Sequence, residues 1–240
     1  MKNLLPVVCM GVSLFAQNES ALNSPLSVLS SIEPTEIIQP KNTVFQPSWV
    51  DSLKLLLPCD NIPVPKRTKR LPNAARDYRN GIHRGIDFFA NWGSPVKAVA
   101  DGIIVRSDNN YKEFSTDFLE TMLMESAKVG DTPSDIFNSV LLGQAVIIDH
   151  GFELISGFRS ITIYAHLSHI DKNIYQGAKV KAGQRLGLSG NTGMKESTQG
   201  SKAGAHLHWE LILQQDKEEM FLGEGMPNPD LYEMLNRIFQ

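Results

Sequence analysis

Between residues 93 and 213 the chain repeats one pattern: short β-branched, apolar runs, each closed by a glycine turn. "GSPVKAVADGIIVRSD", "GQAVIIDHG", "SITIYAHLS", "GAKVKAGQRLGLSGNTG" and "HLHWELIL" all follow it, with no helix between the last four. Runs of this length and composition read as strands, so the core is all-β. Within Gly93–Asp108, Asp101-Gly102 is a hairpin signal and predicts two short paired strands.

One segment interrupts the pattern. Between Asp108 and Gly143, Phe118, Leu119, Met122 and Leu123 recur at helical spacing after Ser115-Thr116, and Gly130 closes the run. Thr132-Pro133 then opens a second short helix carrying Ile136, Val140 and Leu141. The segment reads as a helical hairpin inserted at about residues 109–143, with its Met and Leu stripe packed on the β core.

The first residues, "MKNLLPVVCMGVSLFA", place Lys2 before an apolar run from Leu4 to Phe15 and end on a small residue, the layout of an export signal over residues 1–16. The run is too short to span a bilayer comfortably, so no stable membrane insertion is expected. Its removal would take Cys9 and leave Cys59 alone, which excludes an intramolecular disulfide. Residues 17–70 are rich in Ser, Thr, Pro and Asn and read as an extension or linker that wraps or tethers the domain; its basic "PVPKRTKR" reads as solvated surface. The domain itself runs over residues 71–215, and residues 216–240 read as a C-terminal tail. With 42% hydrophobic residues the chain can bury a proper core, and a net charge of -3 gives no reason to expect nucleic acid as a partner.

The chain has six histidines, and two of them stand in "GAHLHWEL". On a strand, residues i and i+2 share a face, so His206 and His208 stand together while Leu207 and Trp209 face a core. "HRGID" adds His83 and Asp87, and "YAHLS" adds His166 at the end of a strand. Zinc binds imidazole nitrogen and carboxylate oxygen, and a catalytic site uses three protein ligands with a fourth position for water. Such water ionises near neutral pH, and further histidines can move its proton or steady an oxyanion. Competing motifs are missing: no closely spaced cysteine pair for a structural zinc site, "HExxH", "GxSxG" or "GxxxxGK[ST]" occurs. His150 and His169 fall outside the cluster.

Taken in order, "HRGIDFFANWGSPVKAVADGIIV", "VIIDHG", "ITIYAHLS", "GAKVKAGQRLGLSGNTG" and "GAHLHWEL" resemble the signature of the lysostaphin/LytM-type zinc metallopeptidases over roughly residues 71–215. The resemblance implies a mainly β, compact antiparallel fold (LytM-type, of the duplicated hybrid motif or barrel-sandwich kind) with an open groove. It implies one zinc ion held by His83, Asp87 and His208, with His166 and His206 as catalytic residues beside the metal. It also implies a zinc endopeptidase that cuts peptide bonds of peptidoglycan, exported to the periplasm, the cell envelope or the medium. Motif order leaves open which of His166 and His206 is the base, and the bond cut and the oligomeric state stay open too.

Two features depart from the family pattern: the helical insertion, and the long stretch "MKESTQGSKA" before "GAHLH". Both could border the groove, and an insertion that restricts substrate access predicts faster turnover when residues 112–140 are removed. Two other readings compete. A catalytically silent relative that regulates another wall hydrolase is the alternative; such relatives typically lose metal ligands, and here all five polar positions are present. A lipoyl- or biotinyl-type carrier is suggested by "GAKVKAGQRLG" and Met194-Lys195 but opposed by the histidine cluster and the export signal.

Overall fold

The computed structural model describes residues 44–130, 132, 134–216 and 218–239. Residues 1–16, expected to be an export signal, and residues 17–43 of the expected extension lie outside the described residues. In chain order the strands are β1 (Ala75–Arg76), β2 (Gly81–Ile82), β3 (Ile86–Phe88), β4 (Pro95–Lys97), β5 (Gly102–Ser107), β6 (Val146–Asp149), β7 (Arg159–Ala165), β8 (Leu167–Ile170), β9 (Lys179–Val180), β10 (Arg185–Ser189), β11 (Leu207–Gln215) and β12 (Glu218–Phe221). The main sheet has seven strands in the order β12-β11-β7-β6-β5-β9, with β3 also pairing β11. A three-stranded sheet, β4-β10-β8, and the β1-β2 pair complete the mainly β, antiparallel fold.

β11 is the spine of the main sheet. One edge pairs first with β3 and then with β12, while β7 runs along the other edge. Alternation splits its side chains between two layers. Leu207, Trp209, Leu211 and Leu213 enter the main core. His208, Glu210 and Ile212 occupy the opposite face, where Ile212 joins a smaller cluster of Leu142, Ala145, Ile147, Ile163, Ala165 and Phe221.

The main core also takes residues from both ends of the described chain. Phe45, Val50, Leu53, Leu55 and Cys59 are buried in it. Residues 216–240, read as a tail, instead form β12 and a helix, Asp230–Ile238. That helix buries Leu231, Met234, Leu235 and Ile238, an i, i+3, i+4, i+7 stripe that needs a partner surface.

Two local expectations change. Asp101-Gly102 does not close a hairpin, because β4 belongs to the three-stranded sheet and β5 to the main one. The Asp101 carboxylate instead accepts from Lys181 Nζ at 2.6 Å and from the Ala182 amide at 2.8 Å, so the dipeptide is a corner between sheets.

The insertion is helical, but its first helix does not lie on the β core. This helix, α1 (Thr116–Val129), is capped by the Ser115 side chain accepting from the Phe118 amide, a contact that stabilises a helix by about 1 kcal/mol. Among its residues only Leu119 and Ser126 are buried, while Phe118 and Met124 remain exposed. It rests on the 3-10 turn Asp77–Arg79 and on α2 (Lys195–Thr198), the short helix inside "MKESTQGSKA". The two departures from the family pattern therefore pack on each other: Lys195 pairs with Glu120, Thr198 bonds Thr116, and Glu113 accepts from Ser197 and the Gly193 amide. The later part of the insertion reaches the sheet. A helical turn, Ser134–Ile136, runs into a π-helical turn, Phe137–Leu141, and Phe137 and Leu142 pack on the smaller cluster.

Candidate metal centre

Strand register builds the centre. His208 on β11 faces Asp87 on β3 across one edge and Ala165 on β7 across the other. Directly opposed residues share a sheet face, so the Asp87 and His208 side chains meet on the side away from the main core. His83 precedes β3; its amide donates to the Ala74 carbonyl and its own carbonyl accepts from Asn73, which fixes its backbone beside them. His166 ends β7 in the left-handed region at φ 60, and its amide donates to the Leu142 carbonyl at the exit of the insertion. A non-glycine residue rarely holds this conformation, and here it turns the imidazole back over the strand end.

Three potential ligand atoms converge. His83 Nε2 lies 2.9 Å from Asp87 Oδ1 and 3.0 Å from His208 Nδ1, and His208 Nδ1 lies 2.9 Å from Asp87 Oδ1. His206 Nε2 stands 3.5 Å from the same carboxylate oxygen. The His166 ring centroid is 4.9 Å from that of His206 and 5.8 Å from that of His208. All five predicted residues are thus brought together, although the sequence separates His83 from His208 by 125 positions. His150 and His169 are not part of the group. His150 is buried between the Asp101 carbonyl and Thr162, and His169 is exposed beside Asp171.

Each imidazole is oriented by its far nitrogen. His83 Nδ1 donates to the Leu71 carbonyl at 2.9 Å, His166 Nδ1 to that of Thr192 at 2.8 Å, and His206 Nδ1 to that of Gly204 at 2.8 Å. His208 Nε2 donates to the Glu210 carboxylate at 2.7 Å. Since a carbonyl or carboxylate oxygen can only accept, the proton of each neutral ring sits on that outer nitrogen. In the neutral rings the inner nitrogens therefore present lone pairs. Two ring nitrogens and a carboxylate oxygen thus converge at about hydrogen-bond distance, an arrangement satisfied by a proton or by a metal cation among them. Zinc suits this donor set, since its bonds of about 2.0–2.1 Å in tetrahedral directions separate ligand atoms by about 3.3 Å.

Without a metal, a proton supplies that positive charge. Burial alone would raise the Asp87 carboxyl, but hydrogen bonding with His206, His208 and His83 holds it well below the usual carboxylate range. Burial lowers His83 against the opposing pull of Asp87. Burial, followed by the charges of His206 and His208, lowers His166 well below the ordinary imidazole value. His208 goes the other way: burial opposes its charge, yet Asp87 and Glu210 carry it up to about 9.

Residues not singled out from the sequence complete the surroundings. Glu210 is fully buried, and Arg84 Nη2 lies 3.0 Å from its second oxygen. Burial would raise this carboxyl, but Arg84 and His208 bring it down to about 2. Arg76 Nη2 lies 3.1 Å from Asp87 Oδ2, leaving Oδ1 for the centre. Arg70, from the basic run read as solvated surface, donates to the Asp87 carbonyl and covers the Phe89 ring at 3.9 Å. Glu210 was legible by the alternation that pairs His206 with His208, since it is the next residue on that face. The arginines were not, because loop paths bring them in.

Residues 124–220 match the profile of peptidase family M23, a span that contains His166, His206 and His208 but neither His83 nor Asp87. The peptidoglycan DD-endopeptidase ShyA of Vibrio cholerae is 32% identical over 131 residues, 55% of this chain and 20% of that protein. An uncharacterized metalloprotease of Buchnera aphidicola is 30% identical over 135 residues, 56% of this chain and 24% of that protein. The chain therefore matches about a quarter or less of these relatives' lengths. The catalytic domain of lysostaphin from Staphylococcus simulans aligns at 22% identity over 72% of this chain and 91% of that domain, with a TM-score of 0.34.

Proposed function

We propose that this chain, which carries a peptidase family M23 domain, is an exported zinc metalloendopeptidase that hydrolyses peptide bonds in peptidoglycan. The observation that carries the reading is the orientation of four imidazoles, each tied by one nitrogen to an outer acceptor, with those of His83, His206 and His208 turning the other toward Asp87. His83, Asp87 and His208 would hold one zinc ion. When bound, zinc polarises a carbonyl and makes water a nucleophile near neutral pH.

The remaining steps belong to side chains of this chain. His166 and His206 each have Nδ1 committed to a backbone carbonyl, which leaves Nε2 as the nitrogen that would hold or move a proton, in His206 beside Asp87 Oδ1. Glu210 and the Leu71 carbonyl fix the two ligand rings, so no reorganisation is needed as charge develops.

The substrate class follows from the Vibrio cholerae relative, whose name gives peptidoglycan as its target. Export is the reading that Lys2 and the apolar run after it support. Among the described residues no helix is long and apolar enough to cross a membrane. Digestion of purified peptidoglycan by the zinc-loaded protein, followed by product masses, tests the proposal. New peptide ends with wild type and none with His208→Ala are expected. Zinc-loaded wild type that releases nothing would overturn the enzyme reading in favour of a silent regulator.

A further inference from the structure

The geometry points to a structural role for the inserted segment in the metal centre: Phe137 seats Arg84, Arg84 holds Glu210, and Glu210 fixes His208. This inference rests on the zinc reading of the site. It makes Phe137, Arg84 and Glu210 positioning residues, none of which touches the metal or the substrate.

The connection is continuous. His208 Nε2 lies 2.7 Å from Glu210 Oε1, and Glu210 Oε2 lies 3.0 Å from Arg84 Nη2. The Arg84 guanidinium carbon sits 4.4 Å from the centroid of Phe137. Glu210 is fully buried, and Arg84 is about one-quarter exposed. The Arg84–Glu210 contact is close but poorly aligned for a hydrogen bond, and Arg84 Nε lacks a partner among the described residues. Its other nitrogen, Nη1, reaches only the partly exposed Glu219 at 3.8 Å, so polar contacts alone do not hold this guanidinium. The face of Phe137 supplies the missing restraint, since an aromatic face attracts a cation and its bulk excludes water from the ion pair.

Phe137 is itself well anchored. It lies in the π-helical turn and packs on the cluster containing Ile212 and Ala165. Its neighbour Asn138 accepts from Arg106 Nη1 at 2.8 Å, and Arg106 forms a buried pair with Asp108 at the start of the insertion. A ring placed on the sheet by its own cluster thus sets the outer end of a chain whose inner end is a candidate zinc ligand. Outer partners of a ligating imidazole set its tautomer and basicity, and their loss lowers metal affinity about 10–100-fold. Removing the insertion would then weaken the centre, the opposite of the faster turnover predicted from sequence for an obstructing segment.

The test uses the full chain, with zinc affinity read by competition against a chromophoric chelator and geometry by the visible spectrum of the cobalt(II) form. Glu210→Gln should weaken zinc binding by about 10–100-fold. Phe137→Ala should weaken it several-fold and shift the cobalt bands, Phe137→Tyr should restore both, and Phe137→Ala should cost far less in the Glu210→Gln background. If Phe137→Ala does not fold, Phe137→Leu, which keeps apolar bulk without the ring face, carries the same expectation. A folded Phe137 variant with wild-type zinc affinity and an unchanged cobalt spectrum would overturn the inference. Wild type that binds no zinc, or His208→Ala that binds it as tightly, would instead overturn the zinc reading beneath it.

Discussion

Asp87 Oδ1 and His208 Nδ1 stand 2.9 Å apart because their residues are direct partners across β3 and β11. The contact is set by sheet register. A one-residue slip would send either side chain to the opposite face and dismantle the centre.

Metal binding and catalysis should therefore separate by residue. Asp87→Ala and His208→Ala are expected to lose zinc and activity together, whereas His166→Ala and His206→Ala should lose activity and keep zinc. Metal content and peptidoglycan turnover measured on the same samples check this. Loss of zinc in the second pair would contradict the assigned roles. His208→Ala should also leave the buried Glu210 carboxylate with Arg84 alone, at a cost of about 3–5 kcal/mol in metal-free stability.

Gly85, in the middle of "HRGID", lets β3 approach β11. A Cβ there would overlap the Trp209 carbonyl oxygen and come within 2.8 Å of Glu210 Cγ and 2.9 Å of His208 Cε1. Gly85→Ala is expected to cost about 1–3 kcal/mol of stability and to weaken zinc binding by displacing His208. Chemical unfolding and zinc competition measure the two effects; wild-type zinc affinity in this variant would contradict the expected displacement.

Gly143 does the same for His166. It sits at φ +60, where a Cβ would overlap the Thr192 carbonyl, the acceptor that orients His166 Nδ1. Gly143→Ala should cost about 1–3 kcal/mol and lower turnover with zinc affinity nearly unchanged. A variant whose turnover matches wild type would detach Thr192 from catalysis.

His150 lies away from the centre and gives a pH signature. Burial lowers its pKa below the ordinary 6.5, so the folded chain keeps it neutral while the unfolded chain protonates near that value. Its contribution to stability is present above the unfolded value and is lost as pH falls below it. Urea unfolding at about pH 7.5 and about pH 5.5 should show a smaller drop for His150→Gln than for wild type. An equal drop would assign the effect elsewhere.

Much of the centre was legible because its elements obey short-range rules. The i, i+2 alternation grouped His206 with His208 and sent Leu207 and Trp209 to the core, as found. The alternation covered Glu210 as well and was not carried that far. Contacts between segments far apart in the chain had no such periodicity. Arg76 reaches Asp87 from β1, and Phe137 reaches Arg84 from the insertion. Asp101-Gly102 matched a hairpin rule locally, but its strands are claimed by different sheets, a choice made by β10 and β6 far along the chain. The α1 stripe followed helical spacing, yet its partner was another irregular segment and not the β core.

The X-ray absorption spectrum of the zinc-loaded protein tests the central claim most directly. One zinc per chain, coordinated by four light atoms near 2.0 Å with outer-shell scattering from two imidazoles, is the expected result. A sulfur ligand, scattering from three or more imidazoles, or a chain that retains no zinc would contradict the account.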